Sequence, residues 1–279
     1  MISVSSARLG FKKLVSLFGV LFFFAVAPVR SQEQWVDFVV EKDSGMMSVS
    51  LDLAYYMQKP NYKNLVIVGT EFKPCMDNGF PLPEALDGLY SFSDSIAAEI
   101  DQKTKHRLVG IMTFRCLGFD VYYVKDTLGI REGIESVVRR DFYDKQTYLT
   151  VREDKNWAYY FNFLLPPGLT EDFLIDQKYL FDLVLQGDDL QGLRKVRHWI
   201  YFNTLKQRLK MSEKLETLDF SIDSIKYHRD SKWPFEIQVS RMDSVTPSYI
   251  FDLTTMMKIL SEAHQGMYDG WGTQPVFKE

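Results

Sequence analysis

The chain has 279 residues, 46% of them hydrophobic and 15% aromatic, and carries a formal net charge of −4. That apolar content excludes disorder along the whole length, and the length suits two domains. A mildly acidic chain gains nothing from counterion release on a phosphate backbone, so no nucleic acid is expected as a partner.

Residues 1–31 read as a secretory signal peptide. Arg8, Lys12 and Lys13 precede an apolar run over 14–27, and Val29-Arg30-Ser31 suits cleavage before Gln32. The run is shorter than the roughly 20 residues that span a bilayer. The expectation is an exported chain, periplasmic or extracellular, that is soluble and not membrane-spanning once the signal is removed. The alternative is an uncleaved N-terminal anchor. Cys75 and Cys116 are the only cysteines. In an oxidising compartment they have the option of one disulfide, and otherwise they are two small apolar residues.

The first domain is expected over 32–165. Strands are predicted at 35–41 and 46–52, joined by the turn Lys42-Asp43-Ser44-Gly45, and at 64–72, where Leu65-Val66-Ile67-Val68 reads as buried. Pro83 opens a helix to about 105, with Leu86, Leu89, Tyr90, Ile96, Ala97 and Ile100 near helical spacing. Strands at 108–114 and 119–125 are separated by Leu117-Gly118. A helix follows over 129–139 and a strand over 147–152. Residues 156–165 are rich in aromatics without a readable period.

Leu165-Pro166-Pro167-Gly168 ends the domain, because paired prolines continue neither a helix nor a central strand. A linker over 166–170 leads to a second domain over 171–279. Its lead helix, 171–185, begins at the N-cap Thr170, with Phe173, Leu174, Tyr179, Leu180, Leu183 and Val184 on one face. Next come a strand at 195–202, a helix at 204–215, strands at 218–227 and 235–242, a helix at 249–263 and the ending Gly266 to Thr273. After the lead helix the order is β-α-β-β-α-β, the ferredoxin-like pattern of an antiparallel sheet with helices on one face. The fold class is therefore α+β in two domains, the first a mixed α+β sheet domain.

Trp35, Ser48-Val49-Ser50-Leu51 and Asp154-x-x-Trp157-x-x-Tyr160 with Leu165-Pro166 resemble the DUF695 family, a domain of unknown function. Tyr268-Asp269-Gly270-Trp271-Gly272-Thr273 resembles the ending of the RraB family, regulators of ribonuclease E activity. Gly187-Asp188-Asp189 and Arg194-x-x-x-His198-x-x-x-Phe202 precede it in matching order. The second resemblance implies a ferredoxin-like, protein-binding inhibitor of a cytoplasmic ribonuclease. An exported chain would not meet that enzyme.

These residues are the candidate site. Trp271 is either a binding anchor or a cover for one end of the sheet, and its flanking glycines permit close backbone approach or positive φ. His198 reads as a core residue satisfied by a hydrogen bond. The four histidines have no zinc-helix spacing, and neither a nucleophile elbow nor a phosphate loop occurs. The basic run Arg194-Lys195-x-Arg197 with Lys206, Arg208 and Lys210 reads as a solvated face or a contact for an acidic partner. The expected function is a non-enzymatic binding or regulatory protein with a protein partner and no cofactor. Two alternatives stand beside it. One is an envelope hydrolase or nuclease using Asp188, Asp189, Asp269 and His198. The other is a small-molecule-binding protein whose aromatic-rich first domain holds the ligand.

Overall fold

Alternating apolar residues and well-placed turn formers build two antiparallel sheets. A computed structural model describes residues 34–42, 45–166 and 168–277. The signal peptide expected over 1–31 and the tip of the first turn, residues 43–44, lie outside them. In chain order the elements are β1 (Trp35–Lys42), β2 (Gly45–Asp52), α1 (Ala54–Met57), β3 (Asn64–Glu71), α2 (Pro83–Lys103), β4 (His106–Phe114), β5 (Leu117–Val124), α3 (Ile130–Asp141) and β6 (Thr147–Glu153). A π-helical turn at Tyr160–Leu164 follows, then α4 (Glu171–Leu185), β7 (Arg194–Phe202), α5 (Leu205–Glu216), β8 (Ser221–Tyr227), β9 (Phe235–Asp243), α6 (Pro247–Ala263) and β10 (Gly266–Gly272).

The first sheet has the order β1-β2-β4-β5-β3-β6, and the second β10-β7-β9-β8. All neighbours are antiparallel. In the second sheet the central strands are the first and third of its own sequence order, which is the ferredoxin-like arrangement. The chain is thus α+β with a six-stranded and a four-stranded sheet.

Each face of the first sheet has its own core. Val66, Val68, Tyr122 and Val124 pack under α2 and α3 with Phe92, Ile96, Ile100, Ile130 and Ile134. The opposite face buries Val49, Leu51, Leu65, Val121 and Tyr123 against Trp157, Tyr160, Leu164 and Phe173. The aromatic segment without a readable period therefore covers a sheet face. Trp157 stacks on Tyr123 at 3.8 Å and donates its indole N–H to the Tyr62 carbonyl at 2.7 Å. Asp154 starts this segment by accepting the backbone N–H groups of Ala158 and Tyr159 and the Tyr123 hydroxyl. Burial acts to raise the Asp154 pKa, but those three hydrogen bonds together with the Arg152 charge outweigh it and hold the carboxyl below its ordinary range.

Several expectations need correction. The β4–β5 turn is Arg115-Cys116, both at positive φ (51° and 61°), and Leu117 and Gly118 already belong to β5. Tyr90 is 58% exposed, while Ala85 and Phe92 join Ile96 and Ile100 on the buried side of α2. On α4, Tyr179 is 51% exposed, and two polar residues, Asp176 and Gln177, are buried instead. Arg194 is buried too, so the basic run is not one solvated face; its neighbours Lys195 and Arg197 both reach Asp223.

The buried polar residues of α4 have partners. Gln177 accepts the Val39 N–H at 2.7 Å and so satisfies a donor of β1, an edge strand. The core of the second sheet likewise takes in Val39, Met46 and Phe80 from the first half of the chain. Cys75 and Cys116 form a disulfide, which ties the loop carrying Phe80 to the β4–β5 turn. Among the described residues no helix is long and apolar enough to cross a membrane.

Candidate functional site

The ending Tyr268-Asp269-Gly270-Trp271-Gly272 forms β10, an edge strand paired with β7. The pairing slips between Tyr268 and Gly270: Tyr268 opposes Ile200, Gly270 opposes Trp199 and Trp271 opposes His198. Asp269 is the extra residue of this bulge. In a regular strand Tyr268 and Trp271, three apart, would face opposite sides; the bulge turns both inward. Gly270 sits at φ +109°, a conformation that L side chains rarely adopt. Gly272 lies against the Trp199 ring, 3.4 Å from where a Cβ would be. Thr273 extends the edge by donating its hydroxyl to the Lys195 carbonyl at 3.0 Å.

Turned inward, Trp271 is 6% exposed and donates its indole N–H to Asp176 at 2.7 Å. The other Asp176 oxygen accepts the Thr254 hydroxyl of α6, also at 2.7 Å. One carboxylate of α4 thus joins α4, α6 and β10. Burial raises its pKa, the Thr254 and Trp271 hydrogen bonds work against that rise, and nearby Asp172 adds to it. The Tyr268 hydroxyl meets His198 Nδ1 at 2.8 Å. Burial pushes the Tyr268 hydroxyl pKa up and holds His198 down at about 4, so the imidazole is neutral at ordinary pH. His198 Nε2 is buried without a hydrogen-bond partner.

Above this network lies a groove of about 500 Å³ between α4 and α6. Tyr268, Asp269 and Gly270 line it, with Asp176 and Thr254 on its walls. Its apolar lining includes Ile175 and Ile259, 52% and 60% exposed. Asp172, Glu262 and Asp269 give it a negative character, and its one lysine, Lys258, is paired with Asp172 at 2.5 Å.

The remaining candidates sit elsewhere. Asp188 and Arg194 form a buried ion pair where α4 gives way to β7; one contact runs from Arg194 Nη1 to Asp188 Oδ2, the other from Nη2 to Oδ1 at 2.9 Å. Asp188 also accepts the backbone N–H groups of Leu190 and Val276. Asn78, in the disulfide loop, donates to the carbonyls of Val184 and Asp188. Asp189 lines two cavities beside that loop. Of the four groups of the hydrolytic alternative, then, Asp188 and His198 are fully buried with partners of their own, and Asp189 and Asp269 line different cavities. Among the described residues no three His, Cys, Asp or Glu side chains group to hold a metal ion.

Asp176, Thr254, Ile175, Lys258 and Ile259 were missed in the sequence. The signal for Asp176 was present, since it falls at i+3 from Phe173 and i−4 from Leu180, a polar residue on an apolar helix face.

Comparison with known proteins follows the same division of the chain. Residues 33–165 match DUF695, a family of unknown function, and residues 175–273 match RraB, regulator of ribonuclease activity B. No curated protein matches the chain. Among solved structures, an unknown protein from Galdieria sulphuraria shares 8% identity over 76% of this chain and 98% of its own, with a TM-score of 0.20. A provisionally assigned glycine cleavage system transcriptional repressor shares 10% identity over 77% of this chain and all of its own, with a TM-score of 0.23. TM-scores this low carry no argument about fold or activity.

Proposed function

We propose that this is an exported, non-enzymatic binding protein whose second half takes up a protein partner in the groove between α4 and α6. One observation carries the reading: the family-like motif of β10 builds the groove, through Tyr268 and Asp269 directly and through Trp271 by way of Asp176. The match to a regulator of ribonuclease activity supports a regulatory protein contact. Exposed Ile175 and Ile259 offer apolar area, and the carboxylates of Asp172, Glu262 and Asp269 favour a segment that presents Lys or Arg. Export is supported by the signal-like N-terminus and by the Cys75–Cys116 bond, which suits an oxidising compartment.

Affinity capture from envelope extract tests the groove. The mature protein is compared with Ile259→Asp and, as a control on β8, Ile225→Asp; both positions are more than half exposed, so neither change should unfold the chain. A partner retained by Ile225→Asp and lost by Ile259→Asp is the expected result. Equal capture by both variants excludes the groove. N-terminal sequencing of the processed chain should begin at Gln32, and an unprocessed chain in the cytosol contradicts export.

A further inference from the structure

The second site lies in the first half of the chain, between α2 and the first sheet. The β4–β5 register places Ile111 opposite Asp120 and Thr113 opposite Gly118, so the four share one sheet face. Helix α2 crosses this face and brings Leu89, Phe92, Ser93 and Ala97 down onto it at helical spacing. Ser93, Ala97, Thr113 and Gly118 are small, and a cleft of about 260 Å³ remains between helix and sheet. Leu89 closes one end by occupying the space above Gly118, with its Cδ1 2.7 Å from where a Cβ would stand. The walls are mainly apolar, with the rings of Tyr90, Phe92 and Tyr122 among them.

One wall holds an acid. Asp120 is 95% buried by its 5% exposure, and its hydrogen-bond partners are Tyr122, at 3.5 Å, and Ser93. Asp94 adds a second carboxylate to the lining. Among the described residues neither carboxylate has a Lys, Arg or His nitrogen within salt-bridge distance. A buried carboxylate without a counter-charge is costly, and a cation brought by a ligand would relieve that cost. Aromatic walls beside carboxylates that no protein cation pairs suit an organic cation, because the ring faces attract positive charge as well. The volume is just below the ~300 Å³ at which ligand pockets begin, which restricts the ligand to a small molecule.

We propose that this cleft binds a small primary amine carried on an apolar, aromatic-sized body, with its ammonium group against Asp120 and Asp94 and its body along Leu89, Phe92 and Ala97. The proposal is independent of the groove in the second half and stands whether or not a protein docks there.

The test uses the mature protein and three probes of one shape: phenethylamine, 2-phenylethanol and phenylacetate. Amide shifts are followed by NMR through titration into the millimolar range. The amine should saturate shifts at Ser93, Gly118 and Asp120 and bind at least about tenfold more tightly than the alcohol, with phenylacetate weakest. Asp120→Asn, which keeps the side-chain size, should remove that preference and leave the alcohol unchanged. Equal affinity for amine and alcohol overturns the proposal, as does the absence of a saturable amine shift at these amides. An amine preference that survives both Asp120→Asn and Asp94→Asn overturns it as well.

Discussion

Trp271 is held by geometry and by a single acceptor. The bulge at Asp269 turns the indole inward, and Asp176 receives its N–H. Removing the ring in Trp271→Ala should cost about 3–5 kcal/mol in urea unfolding, as large-to-small core changes do. Asp176→Ala leaves the buried Trp271 N–H unmatched, while the Thr254 hydroxyl keeps the Phe251 carbonyl at 3.2 Å, and about 1–3 kcal/mol is expected. A loss below about 0.5 kcal/mol for Trp271→Ala would mean the indole is not packed as described. Asp120 acts in the opposite sense. Burial is the main cause that raises its pKa from 3.8 to about 6; Asp94 adds to the rise, and hydrogen bonds from Ser93 and Tyr122 oppose it. Below pH 3.8 the carboxyl is neutral in both folded and unfolded chains. Between 3.8 and about 6 the unfolded chain ionises first, so stability falls as pH rises, and above about 6 the loss is complete. At about 1.4 kcal/mol per pH unit the ceiling is on the order of 3 kcal/mol. Asp120→Asn should therefore be more stable than the parent at pH 7, with the gain vanishing toward pH 4. A melting series that shows no gain at pH 7 contradicts this. At this scale the sequence revealed the motif but not its partner: Tyr268, Trp271 and His198 stood out, whereas Asp176 lay hidden on a helix face read only for its apolar residues.

Among the elements, the loop from Cys75 to Phe80 does the most joining. The disulfide anchors it to the β4–β5 turn, whose Arg115 and Cys116 both hold positive φ. The Cys116 N–H donates to the Gly79 carbonyl and the Phe72 N–H to the Cys116 carbonyl, both backbone bonds of the same corner. The bond closes a separation of 41 residues, and its loss in Cys75→Ser/Cys116→Ser should cost about 2–4 kcal/mol. Because Asn78 also binds Val184 and Asp188, the double variant should exchange amide hydrogens faster at residues 184–190. Unchanged exchange there would show that the loop does not brace the end of α4. Most elements were legible because their boundaries are set locally. Thr170 caps α4 through the Phe173 N–H, and Pro83 and Pro247 open α2 and α6. The β4–β5 turn was misplaced because positive φ normally draws Asn or Gly; here it falls on Arg and Cys, held by surrounding bonds. The segment before Pro166 had no readable period because it forms a π-helical turn, whose side chains cover a sheet by bulk rather than by spacing.

In the whole molecule, residues 33–165 and 175–273 follow separate family patterns, but the packing crosses between them. Phe80, Val39 and Met46 lie in the core of the second sheet, and Phe173 of α4 and Phe251 of α6 pack against the first. Burying a side chain such as Phe80 contributes roughly 1.5–3 kcal/mol. Residues 34–277 should therefore unfold in a single calorimetric transition, and Phe80→Ala should shift it without splitting it. Two separated transitions would mean each half is stable alone. This cross-packing was not legible in the sequence, where periodicity locates a buried face but not the surface that buries it. The groove follows from it, since α4 is fixed on one side by β1 and presents Ile175 and Asp172 beside α6 on the other. The most direct measurement is site-specific photocrosslinking in living cells, with a photoreactive residue at position 259 in the groove or at position 225 on the β8 edge. A protein adduct formed from 259, absent from 225 and abolished by Asp269→Lys is the expected result. An adduct from 225 alone, or none from 259, would contradict the groove as the docking surface.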